Sequence, residues 1–79
     1  MPKSNKYITS QFNLDRAAFA QAALKTFQDR TETEDGDAVC DLICDLMHLC
    51  RQQTKPYGDF ATNLRRATNH FAAERHGEE

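Results

Sequence analysis

The stretch DAVCDLICDLMHLC, residues Asp37–Cys50, decides the fold of this chain. Its apolar residues recur every three or four positions, which is the spacing of one face of an α-helix. These residues are Val39, Leu42, Ile43, Leu46, Met47, Leu49 and Cys50. On the opposite side, Asp41, Asp45 and His48 follow one another at helical spacing. The pattern predicts an amphipathic helix with one apolar face and one acidic face.

A first helix is predicted before this stretch. Ser10 or Asn13 is placed to cap it, and its periodic pattern ends near Gln28 or Asp29. Its apolar face is rich in alanine and comprises Ala17, Phe19, Ala20, Ala23, Leu24 and Phe27. The small side chains favour close approach of a neighbouring helix, with the two phenylalanines as anchors.

The ends of the second helix follow from local signals. Asp37 is the predicted N-cap, although Thr33 also suits a start one turn earlier. Pro56 disfavours helical geometry at Lys55, so we expect this helix to end near Gln53.

A third helix follows the glycine at position 58. Asp59 is the predicted cap, and the helix runs from Phe60 to about Arg75. Its apolar stripe is Phe60, Leu64, Ala67 and Phe71. Three helices with short connections predict an all-α fold, a small three-helix bundle with a flexible N-terminus. The predicted organisation is a flexible segment at 1–10, one helical domain at 11–76 and a flexible tail at 77–79.

Charge is distributed unevenly along the chain. The net charge is −2, yet residues 31–50 hold six acids and no base. Acids at the start of the second helix are favoured by the helix dipole, which explains Glu34, Asp35 and Asp37 but not Asp41 or Asp45. The sign of this segment argues against direct contact with nucleic acid.

The cysteines and histidines suggest two metal arrangements, both of which we weigh against ordinary thiols and surface imidazoles. Cys40, Cys44 and His48 are spaced four residues apart on one helix. Alternatively, two pairs on facing helices supply ligands, namely Asp45 with His48 and His70 with Glu74. Neither is a specific signal, and three cysteines make a poor disulfide framework. We therefore predict free thiols, with Cys50 best placed for the core, and no metal, cofactor or catalytic residue.

The class of protein follows from what the chain lacks. No run reaches the roughly 18 apolar residues of a membrane span, and the N-terminus has no apolar signal-peptide core. There is no glycine-rich phosphate loop or nucleophile motif. We expect a cytoplasmic protein that is not an enzyme and does not contact membranes.

The second half of the chain resembles a group of short, largely uncharacterised proteins of bacterial phages and integrated mobile elements. The resemblance rests on DLICDLMHLC at Asp41–Cys50, GDF at Gly58–Phe60 and LRRATNHF at Leu64–Phe71, with Ala73 and Glu74 following. It covers about half of the chain and departs from the group's pattern in the loop before Gly58. It implies a cargo protein of a mobile element, and some such proteins resemble inhibitors of CRISPR–Cas defence.

The resemblance and the charge pattern together predict a non-enzymatic inhibitor. In this hypothesis an acidic helix face docks on the basic surface of a host protein or ribonucleoprotein complex that handles nucleic acid or defends the cell. The predicted contact residues are Glu34, Asp35, Asp37, Asp41, Asp45, His48 and Tyr57.

Two alternatives remain open at the level of sequence. One is a small homodimeric structural or regulatory module that uses surplus apolar surface of the first helix. The other is a nucleic-acid-binding three-helix protein acting through Arg65 and Arg66, where Asn63, Arg66 and His70 share the outer side of the third helix.

Overall fold

The computed structural model describes residues 10–76, which form three long helices and one single-turn helix. Their bounds are α1 Gln11–Thr31, α2 Asp35–Gln52, α3 Thr54–Tyr57 and α4 Phe60–His76. The predicted all-α three-helix bundle is confirmed. Most of the predicted flexible segment 1–10 and the whole of the predicted tail 77–79 lie outside the described residues.

Helix α1 is capped by Ser10, one of the two N-caps predicted from the sequence. The Ser10 hydroxyl accepts a hydrogen bond from the Asn13 backbone N–H at 3.1 Å, so Ser10 and not Asn13 is the N-cap. The helix continues to Thr31, beyond the predicted end at Gln28 or Asp29. It stops because Glu32 adopts the left-handed conformation, with φ 57° and ψ 38°, and its N–H donates to the Gln28 carbonyl.

The connection to α2 is only three residues long. The Gln28 side-chain amide spans it, donating to the Thr33 carbonyl at 3.1 Å and to the Asp35 carboxylate at 2.8 Å. Glu34 is the N-cap of α2, in extended geometry and without a side-chain capping bond. The predicted N-cap Asp37 was therefore wrong, and the alternative start one turn earlier, at Thr33, lies one residue from the observed cap. It lies inside the first turn, where its N–H donates to the Glu34 carbonyl and the helix dipole favours its charge.

The break after α2 follows the proline rule. The helix ends at Gln52, and Lys55, directly before Pro56, has extended dihedral angles of φ −106° and ψ 125°. The single turn α3 around these residues was not predicted. Asp59 then caps α4 as expected, because its carboxylate accepts from the Thr62 backbone N–H at 3.0 Å.

Helix α2 is the centre of the bundle, since both α1 and α4 pack against it. A long-range hydrogen bond also joins the outer two helices. The Asn13 side-chain amide, near the start of α1, donates to the Glu74 carbonyl, near the end of α4, at 3.2 Å. The end of each long helix thus lies beside the start of another, and the first and last helices are in contact.

The core between these helices is small. Among residues 10–76, the buried apolar side chains are Ala38, which is 0% exposed, and Cys50, which is 8% exposed. The predicted core position of Cys50 is confirmed, whereas Ala38 was missed. Most of the large apolar residues expected to fill the core are instead exposed, among them Phe19, Val39, Ile43, Leu46, Met47, Leu64 and Phe71. The helices approach one another without covering their apolar faces.

Candidate binding surfaces

One side of α2 is acidic along its length. At about 100° per residue, Glu34, Asp37, Asp41, Asp45 and His48 lie within an arc of about 80°. We call these five residues the acidic face. Each of them is exposed, and together they extend about 21 Å along the helix axis. The arrangement presents four carboxylates and one imidazole to solvent.

No described base neutralises the acidic face. Within residues 10–76, the ion pair between side chains is Lys25–Asp29 on α1, with N–O 3.5 Å apart. The acidic face instead contains like charges at i,i+4 spacing, in the pairs Asp37–Asp41 and Asp41–Asp45. Each such pair destabilises a helix by about 0.2–0.5 kcal/mol. The acidic face therefore destabilises the helix slightly and gives this side of α2 a negative electrostatic potential.

The other two predicted contact residues lie apart from this face. Asp35 is about 80° around α2 from Asp45, and its carboxylate accepts the hydrogen bond from Gln28. Tyr57 lies on α3, beyond the end of α2, with 52% of its surface exposed. The structure thus brings five of the seven predicted residues onto one surface and places Asp35 and Tyr57 outside it.

Asn63 has a different role from the one the sequence suggested. Its side-chain amide donates to the Tyr57 carbonyl at 2.9 Å and the Asp59 carbonyl at 3.1 Å, and it lies 3.9 Å from the Cys50 sulfur. The expectation that Asn63 shares the outer side of its helix with Arg66 was wrong, because the amide faces the turn. The alternative of a nucleic-acid-binding protein therefore loses Asn63 from the outer side of the helix on which it depends.

The cysteine and histidine arrangements do not assemble. Cys40 and Cys44 are exposed free thiols and Cys50 is a buried free thiol, in agreement with the predicted free state. Within the part of the chain that the structure describes, no group of three His, Cys, Asp or Glu side chains is placed to hold a metal ion. The pairing of Asp45 and His48 with His70 and Glu74 is therefore not formed there.

The pKa of the Asp59 carboxyl group departs clearly from its ordinary value. Hydrogen bonds from the Thr62 side chain and the Thr62 backbone N–H hold the pKa of Asp59 below 3.8. Because these bonds come from the first turn of α4, the shift reflects helix capping. It stabilises the start of the helix and points to no reaction.

An apolar groove between α1 and α2 was not predicted from the sequence. It has a volume of about 400 Å³ and is lined by apolar side chains with Gln21 as an exception. Among the lining residues are Ala17, Ala20 and Leu24 of α1 and Val39, Ile43 and Leu46 of α2. The sequence signal for this groove was the width of the apolar arc of α2. That arc spans about half of the helix circumference, whereas a helix packed on one side buries an arc of about 100°.

A second apolar feature lies on the outside of α1. Phe12 and Phe19 are seven residues apart and share one side of the helix, about 140° from the residues that line the groove. Phe19 is 64% exposed, and the Arg16 guanidinium lies over its ring at 5.7 Å. The prediction that Phe19 shares a face with Ala17 and Ala20 was therefore wrong. We call Phe12 and Phe19 the phenylalanine pair.

Comparison of the chain with models of protein families, with curated proteins and with solved structures found no match. The resemblance to proteins of phages and mobile elements accordingly rests on the quoted residues alone. Within residues 10–76, no helix combines the length and the apolar character that crossing a membrane requires.

Proposed function

We propose that this chain is a non-enzymatic, cytoplasmic interaction protein that binds a basic partner through the acidic face of α2. In keeping with the resemblance of its second half, the proposed setting is a phage or mobile element. The proposed partner is a host defence or nucleic-acid-handling complex, which the chain inhibits by occupying a surface made for nucleic acid.

The observation that supports this proposal is the set of four exposed carboxylates on one face of α2. They have no ion-pair partner among the described residues. The helix dipole accounts for acids in the first turn, where Asp35 and Asp37 lie. It does not account for Asp41 and Asp45, whose like-charge spacing opposes helix stability. A binding role explains why carboxylates stand at positions where folding gains nothing from them.

Binding of this kind has a characteristic dependence on salt. Opposite charges on two exposed surfaces steer association and set the choice of partner, and both effects weaken as ionic strength rises. Tyr57 is exposed on α3, where Asn63 donates to its backbone carbonyl, and supplies an aromatic contact in this proposal. We therefore expect strong binding at low salt and steep loss above physiological ionic strength.

The test is an affinity pull-down from host lysate at low and high salt, read by mass spectrometry, with matched charge variants. Asp41→Lys combined with Asp45→Lys reverses the centre of the acidic face. Asp15→Lys combined with Glu74→Lys makes the same change in net charge at exposed acids of α1 and α4. Circular dichroism verifies that both variants keep their helices.

The proposal expects the first variant to lose the partner and the second to retain it. Equal recovery by both variants, or recovery that high salt does not reduce, would overturn it. A partner lost equally from both variants would show that overall charge matters and that the acidic face does not.

A further inference from the structure

Two exposed thiols lie one helical turn apart on α2. Cys40 and Cys44 are both free and exposed, and both belong to the continuous helix Asp35–Gln52. Free cysteine is among the residue types most often buried, because it packs as a small hydrophobe. Cys50 follows this rule, with 8% of its surface exposed. Cys40 and Cys44, which we call the thiol pair, do not follow it, so packing gives no account of their positions.

The geometry of the helix prevents the thiol pair from closing a disulfide within one chain. Residues four apart on a helix hold their Cβ atoms about 5–6 Å from each other. A disulfide requires a Cβ separation of about 3.5–4.5 Å. Since both cysteines lie inside a regular helix, the backbone cannot bring them closer without losing helical hydrogen bonds. Two thiols therefore stay side by side in the folded chain.

The same separation suits a metal ion placed between the two sulfurs. A metal–thiolate bond is about 2.3 Å long, so two thiolates on one ion hold their sulfurs up to about 4.6 Å apart when the three atoms are in line. The sulfurs of a disulfide, by contrast, are only about 2.05 Å apart. The spacing of the thiol pair is thus too wide for a direct bond between the sulfurs and matches a bridge through one ion.

The number of ligands restricts the kind of ion. Within residues 10–76, no group of three His, Cys, Asp or Glu side chains is placed to hold a metal. His48 follows Cys44 by four residues, but it lies about 12 Å along the helix from Cys40 and cannot share an ion with the thiol pair. Structural zinc requires four protein ligands. The ion must therefore be stable with two sulfur ligands, which is a property of soft monovalent copper.

We propose that Cys40 and Cys44 form a two-coordinate binding site for Cu(I). On binding, each thiol releases its proton and each sulfur donates an electron pair to the ion. Copper enters and stays as Cu(I), so the step needs neither an oxidant nor a reductant. The two sequence patterns weighed for a metal each needed three or four ligands, whereas this site needs the thiol pair alone.

The surroundings of the thiol pair favour a soft cation. Around the axis of α2, Cys44 lies about 20° from Asp37 and about 60° from Asp41, both of them in the acidic face. Clustered carboxylates raise the local concentration of cations. Their hard oxygen atoms compete poorly with thiolates for Cu(I). The acidic face therefore attracts the ion without displacing it from the sulfurs. This inference does not rest on the proposed function, because it requires no partner protein.

The first test is anaerobic titration of the reduced chain with Cu(I) in competition with bicinchoninate, a chromophoric Cu(I) chelator. Native mass spectrometry gives the stoichiometry, which we expect to be one ion per chain. Cys40→Ser and Cys44→Ser should each weaken binding by about 100-fold or more, since even groups that only orient a ligand contribute about 10–100-fold. Cys50→Ala is the control and should leave the affinity unchanged.

A further variant separates the spacing of the thiols from their number. Cys44→Ser combined with Asp45→Cys keeps three thiols but places the second one about 140° around the helix from Cys40. Circular dichroism verifies that this variant keeps its helices. We expect it to bind as weakly as Cys44→Ser. Equal affinity in this variant and the native chain, equal weakening by Cys50→Ala, or one ion shared between two chains would overturn the proposal.

X-ray absorption at the copper edge tests the coordination directly. The site described above predicts two sulfur neighbours in the copper-loaded native chain. Three or more sulfur neighbours would overturn the two-coordinate site, and so would a shell made mainly of nitrogen or oxygen.

Discussion

Replacing Asp41 by asparagine is expected to stabilise the protein while it weakens binding to the proposed partner. Asp41 stands at the centre of the acidic face, with Asp37 four residues before it and Asp45 four residues after it. Removal of its charge eliminates two like-charge pairs, for a gain of about 0.4–1 kcal/mol. Asp41 is the seventh residue of α2, beyond the first turn in which the dipole favours a carboxylate. Asparagine and aspartate have similar helix propensity, so no other term is expected to offset the gain.

The assay is urea unfolding followed by circular dichroism at one fixed chain concentration, at low ionic strength and again near 1 M salt. Salt at that level reduces the screening length to about 3 Å, so the gain should largely vanish. Asp15→Asn on α1 is the control, since no acid lies three or four residues from Asp15. A loss of stability at low salt, a gain that survives high salt, or an equal gain in the control would refute the electrostatic account of the acidic face.

Three further predictions concern the backbone and the turn before α4. Gly36 is helical with open space where a Cβ would stand, whereas Gly58 has φ +84°. The free energy of unfolding, measured by chemical denaturation, should therefore rise by about 0.5–1 kcal/mol in Gly36→Ala and fall by about 1–2 kcal/mol in Gly58→Ala. Asn63→Leu should lower the free energy of unfolding by about 0.5–1.5 kcal/mol in the same assay, because the Tyr57 carbonyl loses its side-chain donor, whereas the Asp59 carbonyl keeps the Asn63 backbone N–H. The lowered pKa of Asp59 means that its ionised cap stabilises the fold above pH 3.8 and ceases to do so as the pH falls through the lower folded value. Thermal unfolding from about pH 2 to 5 should show a shallower pH dependence for Asp59→Asn than for the native chain.

The positions of the helices were predictable because their signals are local. Ser10 and Asp59 cap α1 and α4 through bonds that span three residues, and the Lys55–Pro56 pair ends the helical pattern wherever it occurs. The start of α2 was located less well, with Asp37 preferred over Thr33, because the observed cap Glu34 makes no side-chain capping bond. The hydrogen bond from the Gln28 amide to Asp35 joins two elements, and spacing alone does not reveal it.

The acidic face was predictable for a similar reason, since steps of three and four residues confine side chains to one arc of a helix whatever surrounds it. Burial was not. An apolar pattern shows which side of a helix avoids water, but it does not show what covers that side. Val39 and Phe19 belong to predicted apolar faces and are nevertheless exposed. Their coverage depends on how far the helices are separated in space, which the spacing of residues along one helix does not determine.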